Sequence, residues 1–187
     1  TAYRRQRQMC IRDRTKPFLL GVLGGMGPLA TLDFQRRLLD ATPAQNDRQQ
    51  IPSVVWNVPQ IADRQKALAG SGPSPLPQLI HGIEKLNQAG ASHIAIPCNT
   101  AHHWYDALSQ VSDAPILHIV DAAIAALAQQ ADKPQRVGII ATQGTLEAGW
   151  YQRQLAAQGV EVVEPTEQEL ARWFVPGCYA VKRGALE

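Results

Sequence analysis

One nine-residue pattern occurs twice in this chain, and the repeat limits the folds open to it. Gly21-Val22-Leu23-Gly24-Gly25-Met26-Gly27-Pro28-Leu29 aligns without a gap on Gly138-Ile139-Ile140-Ala141-Thr142-Gln143-Gly144-Thr145-Leu146, 117 residues further on. The match continues through Gln35, Arg36 and Leu38 against Gln152, Arg153 and Leu155. Each copy reads as a short apolar strand, a turn with glycine in it, and the start of a helix. Strands alternating with helices build a parallel sheet joined by right-handed crossovers. A duplicated β-α turn therefore predicts two similar lobes whose turns face a shared cleft.

The remaining segments continue the alternation. Apolar runs at residues 19–23, 54–58, 116–120, 137–141 and 160–163 read as strands, and another ends at Cys98. Pro28 suits a first helical turn, with Leu29, Leu32, Leu38 and Leu39 as the expected inner face. Leu76, Leu79, Ile80, Ile83 and Leu86 trace a second helical stripe that Gly90 stops. Residues 67–77, with two glycines and three prolines, read as an exposed loop. Asp121 is the expected cap of an alanine-rich helix running to residue 131. One helix is expected over 146–158, another over 167–174, and a last one opens near Tyr179. The fold class is therefore α/β, with two pseudo-symmetric lobes, each a mostly parallel sheet flanked by helices. The second lobe is expected to be incomplete, because a strand equivalent to the one ending at Cys98 would fall near residue 215.

Charge adds a boundary. The net charge of +2 conceals a local +4 over residues 1–14, where Arg4, Arg5, Arg7, Arg12 and Arg14 face only Asp13, leaving −2 for the rest. This segment lacks aromatic interleaving beyond Tyr3, so it reads as a non-native or disordered tail rather than a nucleic-acid-binding arm. Cys10 falls within it. The expected divisions are thus 1–14 for the tail, 15–115 for the first lobe and 116–187 for the second. No apolar run reaches the roughly 20 residues of a membrane-spanning helix, so no membrane partner is expected. Three cysteines without a repeating spacing suggest a reducing, cytoplasmic setting.

The residue with the strongest chemical signal is Cys98, in Ile94-Ala95-Ile96-Pro97-Cys98-Asn99-Thr100-Ala101-His102. A thiol at the carboxyl end of a strand in an open α/β sheet stands where such sheets place ligands. The amino terminus of a following helix would favour its thiolate. The turn at residues 24–27 lacks a Walker-loop lysine and the third spaced glycine of a dinucleotide fingerprint, so no nucleotide cofactor is expected. His81, His93, His102, His103 and His118 form no metal-ligand spacing, and no metal is expected.

Three blocks, Gly24-Gly25-Met26-Gly27-Pro28 with Ala30-Thr31, Pro97-Cys98-Asn99-Thr100-Ala101-His102 and Ala141-Thr142-Gln143-Gly144-Thr145, resemble the cofactor-independent aspartate/glutamate racemase family, most of all its aspartate racemase branch. The resemblance covers residue 18 to the end. It implies two pseudo-symmetric lobes with one cysteine from each at the cleft, Cys98 being the first. Inverting a stereocentre removes the α-proton from one face and delivers another to the opposite face, a task for two opposed groups. The resemblance further implies Arg64 and Lys182 as carboxylate-binding cations. Met26 would line the cleft through its backbone, and Asn99, Thr100, Thr142 and Thr145 would supply donors where carboxylate charge accumulates. The family's second cysteine belongs to a Gly-Cys-Thr-Glu block absent from this chain, and Cys178 precedes the matched Lys182 and does not replace it. The expected polypeptide is a C-terminally truncated racemase of aspartate or glutamate, without cofactor, impaired in racemisation and a candidate homodimer. Two alternatives stand beside it: an inactive fragment that binds an acidic amino acid, and a cysteine hydrolase with Cys98 as nucleophile and His102 as base.

Overall fold

The structure is a computed structural model and describes residues 17–185. The predicted tail at residues 1–14, with Cys10, lies outside the described residues.

The first lobe is a four-stranded, wholly parallel sheet. Its strands are β1 (Leu20–Gly24), β2 (Ser53–Asn57), β3 (His93–Ala95) and β4 (Ile116–Leu117), in the order β2-β1-β3-β4. β1 is buried along its whole length, as a central strand with neighbours on both edges must be. The crossovers carry α1 (Pro28–Ala41), α2 (Arg64–Leu68), α3 (Leu76–Gln88) and α4 (Tyr105–Val111). α3 uses the predicted stripe: Leu79, Ile83 and Leu86 are sealed against Leu23 and Ile94. Gly82 makes that approach possible, since a Cβ there would stand 2.4 Å from Leu23 Cδ1. Gly90, at φ +81°, ends the helix region as a left-handed residue.

The second lobe begins with α5 (Ile119–Ala128) and continues as β5 (Arg136–Gly138), α6 (Gln143–Ala148), α7 (Trp150–Ala157) and β6 (Glu161–Val163). Its sheet pairs β5 with β6 in parallel, with Gly138 opposite Val163 as Gly21 is opposite Val54. Val120, Ile124, Ile139 and Leu155 form its core. After β6 come a helical turn α8 (Glu167–Glu169), a π-helical stretch (Leu170–Phe174) and α9 (Val175–Lys182). The α/β class and the parallel sheet flanked by helices match the expectation. Among the described residues no helix is long and apolar enough to cross a membrane.

Several local expectations change. Ile116–Leu117, expected to open the second lobe, hydrogen-bonds to β3, so the change of sheet falls after Leu117 rather than at 115/116. The strand is only two residues long because the chain turns at His118, which takes the N-cap position of α5 in place of Asp121 without a side-chain hydrogen bond to the helix. Asp121 lies in the first turn of α5, where a carboxylate still favours the helix dipole. The apolar residues of α1 split between two faces. Thr31, Phe34 and Leu38 turn inward while Leu29, Leu32 and Leu39 are exposed. The single helix expected over 146–158 is two helices, broken at Gly149 in the left-handed region (φ +65°). Residues 64–68 form α2, so the loop expected from residue 67 starts two residues late.

Candidate active site

The carboxyl ends of β1 and β3, the start of α6, and α9 enclose a cleft of about 810 Å³. All eight site residues singled out from the sequence line it: Cys98, Met26, Arg64, Asn99, Thr100, Thr142, Thr145 and Lys182. Cys98 is half-buried rather than sealed. It stands three residues past the end of β3, after Ile96 and Pro97, and the element that follows is a 3-10 turn (Thr100–Trp104) leading into α4, not an α-helix.

That reactive loop is pinned from behind by an imidazole. His102 is almost wholly buried. The Ile119 amide donates to its Nε2 at 3.2 Å, which makes Nε2 the acceptor and places the ring proton on Nδ1. Nδ1 in turn donates to the Cys98 carbonyl at 2.9 Å. Burial, with the neighbouring His118 adding to it, pushes His102 below the ordinary imidazole range and keeps it neutral. Both ring nitrogens are thus spent on backbone groups. Neither faces the thiol, which removes the base from the cysteine-hydrolase alternative.

Across the cleft floor three hydroxyls meet. Thr100 Oγ1 lies 3.1 Å from Thr142 Oγ1 and 3.5 Å from Thr145 Oγ1, and the last two are 3.0 Å apart. Thr100 comes from the first lobe and the others from the second. Gln65 ties the same seam: its Nε2 donates to Thr100 Oγ1 at 3.0 Å and its Oε1 accepts from the Gly144 amide at 3.4 Å. Gly144 lets the two segments approach closely, since a Cβ would stand 2.5 Å from Leu68 Cδ1 and that side chain would have to shift. A second tie is Tyr151 of α7, whose hydroxyl donates to Asn99 Oδ1 at 2.6 Å.

The glycine-rich turn after β1 is strapped down rather than open to phosphate. The Gly25 amide donates to Thr31 Oγ1 at 2.9 Å, and a Cβ on Gly25, at φ +99°, would stand 2.4 Å from the Val58 carbonyl carbon. Arg64 packs beneath the turn and is 9% exposed. Its Nη1 donates to the carbonyls of Ile61 and Ala62, its Nη2 reaches the Met26 carbonyl at 3.4 Å, and its buried Nε has no partner among the described residues. Its hydrogen bonds go only to neutral oxygens, so the guanidinium keeps its positive charge in the cleft wall, within Coulombic reach of the Asp63 carboxylate. Lys182 stands exposed at the rim, its ammonium 4.8 Å from the Tyr179 ring centre. Asp63, which also lines the cleft, caps α2 by accepting from the Gln65 and Lys66 amides. Burial works to raise its carboxyl, yet those amides together with Lys182 and Arg64 hold it below the usual carboxylate range.

Gln65, Tyr151 and Asp63 were not singled out from the sequence. Asp63 alone carried a local signal, as an Asx residue before a helix. Cys178, set aside from the sequence, lines the same cleft as Cys98, carried there by α9.

The Asp/Glu/hydantoin racemase family model matches residues 23–186. The chain belongs to that family. It is 32% identical over 151 residues to the broad specificity amino-acid racemase RacX of Bacillus subtilis (strain 168), an alignment covering 78% of this chain and 63% of RacX. A glutamate racemase of Corynebacterium kroppenstedtii is 35% identical over 95 residues, covering 48% of this chain and 33% of that enzyme. Among solved structures, the Picrophilus torridus aspartate racemase superposes with a TM-score of 0.77 at 28% identity, over 89% of this chain and 68% of that one. The chain thus spans less than two thirds of the length of these curated racemase relatives.

Proposed function

We propose that the cleft removes the α-proton of an amino acid, aspartate or glutamate in the first instance, with the Cys98 thiolate as base and without a cofactor. The observation that carries the reading is the meeting, in one cleft, of the half-buried Cys98, the guanidinium of Arg64 and the three joined hydroxyls. Arg64, with Lys182 at the rim, supplies the positive end against which a substrate carboxylate would settle. Thr100, Thr142, Thr145 and the Asn99 amide are polar groups fixed before substrate arrives, the arrangement that favours charge appearing on the α-carboxylate as the carbon–hydrogen bond breaks. Likeness to enzymes named as amino-acid racemases supports the reaction class.

In full racemisation a second acid delivers a proton to the opposite face. On this reading Cys98 serves one face: it takes the α-proton and can return a solvent proton to that same face.

Proton NMR of L- and D-aspartate in deuterium oxide tests this. The expected result is loss of the α-proton signal from at least one enantiomer, and no loss with Cys98→Ala. Exchange that survives Cys98→Ala, or no exchange from either enantiomer, overturns the proposal. Thermal stabilisation by aspartate without exchange would leave the binding-only alternative.

A further inference from the structure

Tyr151 is one point at which the second lobe touches the reactive loop, and proton transfer as described above gives it nothing to do. Its ring packs against the second-lobe core, while its hydroxyl leaves that core to meet Asn99, the residue directly after Cys98. The break at Gly149 makes this contact: α7 starts on a new axis, with Trp150 against the His118 ring and Tyr151 against Asn99. Burial raises the phenol above its ordinary range, so it is a neutral, protonated donor at working pH.

Asn99 has a two-ended side chain, with an oxygen that accepts and an NH2 that donates. Among the described residues its only side-chain partner is Tyr151. A carboxamide without partners swings between two orientations that differ by a half turn. A phenol donating a proton selects the orientation with the oxygen toward α7, and the NH2 is then turned away from it. Asn99 lines the cleft with Cys98 and Thr100.

We propose that Tyr151 is a positioning residue that holds the Asn99 carboxamide with its NH2 toward the cleft, where it donates to the carboxylate of the bound amino acid as the α-proton leaves. The inference rests on the proton-transfer reading above and adds a residue of the second lobe to it. Tyr151 touches neither substrate nor the reacting atoms; it acts through Asn99.

Tyr151→Phe keeps the ring and removes one oxygen. The α-proton exchange rate of the bound substrate is expected to fall about 10-fold, with KM for aspartate changed less than about 2-fold, since the donation strengthens as charge develops. Asn99→Ala is expected to lose about 10²-fold. The double variant decides between positioning and general structure. If Tyr151 works through Asn99, adding Tyr151→Phe to Asn99→Ala changes nothing further, whereas multiplied losses overturn the proposal.

A second measurement does not depend on turnover. In the side-chain amide region of the 15N–1H spectrum, the unsubstituted protein should show ordered, dispersed Asn99 NH2 signals that become mobile in Tyr151→Phe. A mobile Asn99 amide in the unsubstituted protein overturns the proposal without any variant, and equal order in both proteins does the same. Should the unsubstituted protein show no exchange, the proton-transfer reading fails by itself, and this spectrum still decides whether Tyr151 orients Asn99.

Discussion

Leu23 and Ile140 occupy the same position in the two copies of the β-α pattern, yet Leu23 is fully buried and Ile140 is 75% exposed. In the first lobe β1 has β2 on one edge and β3 on the other, and α3 lies across its face. In the second lobe β5 has β6 alone among the described residues. The repeated residues share an order, a parallel strand followed by a turn and a helix, but β1 runs through Leu23 to Gly24 whereas β5 stops at Gly138, before Ile140. Whether a side chain is buried is decided by what the rest of the chain places on either side. Glycines show the same split. Gly27 and Gly144 are equivalent, but the Cβ position at Gly27 is empty space, whereas at Gly144 it is filled by Leu68.

The sharpest way to break this comparison is to truncate both members of the pair. Leu23→Ala is expected to cost about 3–4 kcal/mol, the transfer term plus a cavity beneath α3. Ile140→Ala should stay within about 0.5 kcal/mol. Urea unfolding of both variants measures the difference, and equal costs would mean that the lobes are packed alike.

The glycine pair gives an intermediate effect. Gly144→Ala should cost about 1–3 kcal/mol by overpacking against Leu68, and should loosen the Gln65 bridge between the lobes. Gly27→Ala, with room and an ordinary negative φ, should be close to neutral. Differential scanning calorimetry separates them.

The smallest expected effect is the pH dependence that His102 confers. Its imidazole is neutral in the folded protein because burial depresses its affinity for protons. The unfolded chain regains an ordinary value of about 6.5. Below that pH the unfolded state therefore binds a proton that the folded state refuses, and stability falls with acidification by up to about 1.4 kcal/mol per pH unit until the depressed folded value is reached. Unfolding curves at pH 7.5 and 5.5 should show this slope, and His102→Gln should flatten it. The groups facing the ring are His118, Tyr105 and the backbone of Cys98 and Ile119, with Asp121 beside His118.

The residues that meet in the cleft were legible in the sequence because motif residues follow strand ends, and strand ends share one edge of a parallel sheet. Cys98, Thr100, Thr142 and Thr145 needed only that rule. Gln65 and Tyr151 were not legible, since each matters through a partner on the other lobe, 79 and 52 residues away in sequence. His102 showed its presence but not its use: four residues from Cys98, it serves that residue's carbonyl instead of its thiol. The outward leucines of α1 and the break at Gly149 were hidden for a related reason. Periodicity marks where apolar residues recur, not which face finds a neighbour or where a left-handed residue turns the axis.

The outer side of β5 offers a row of backbone groups that no described strand takes up, with Ile140 directly beyond it. Such a border is self-adhesive: it welcomes any extended segment of another molecule, whatever its origin. How this polypeptide behaves in a tube then depends on its concentration as much as on its fold. Dilute samples would be the faithful ones in which to watch the cleft at work.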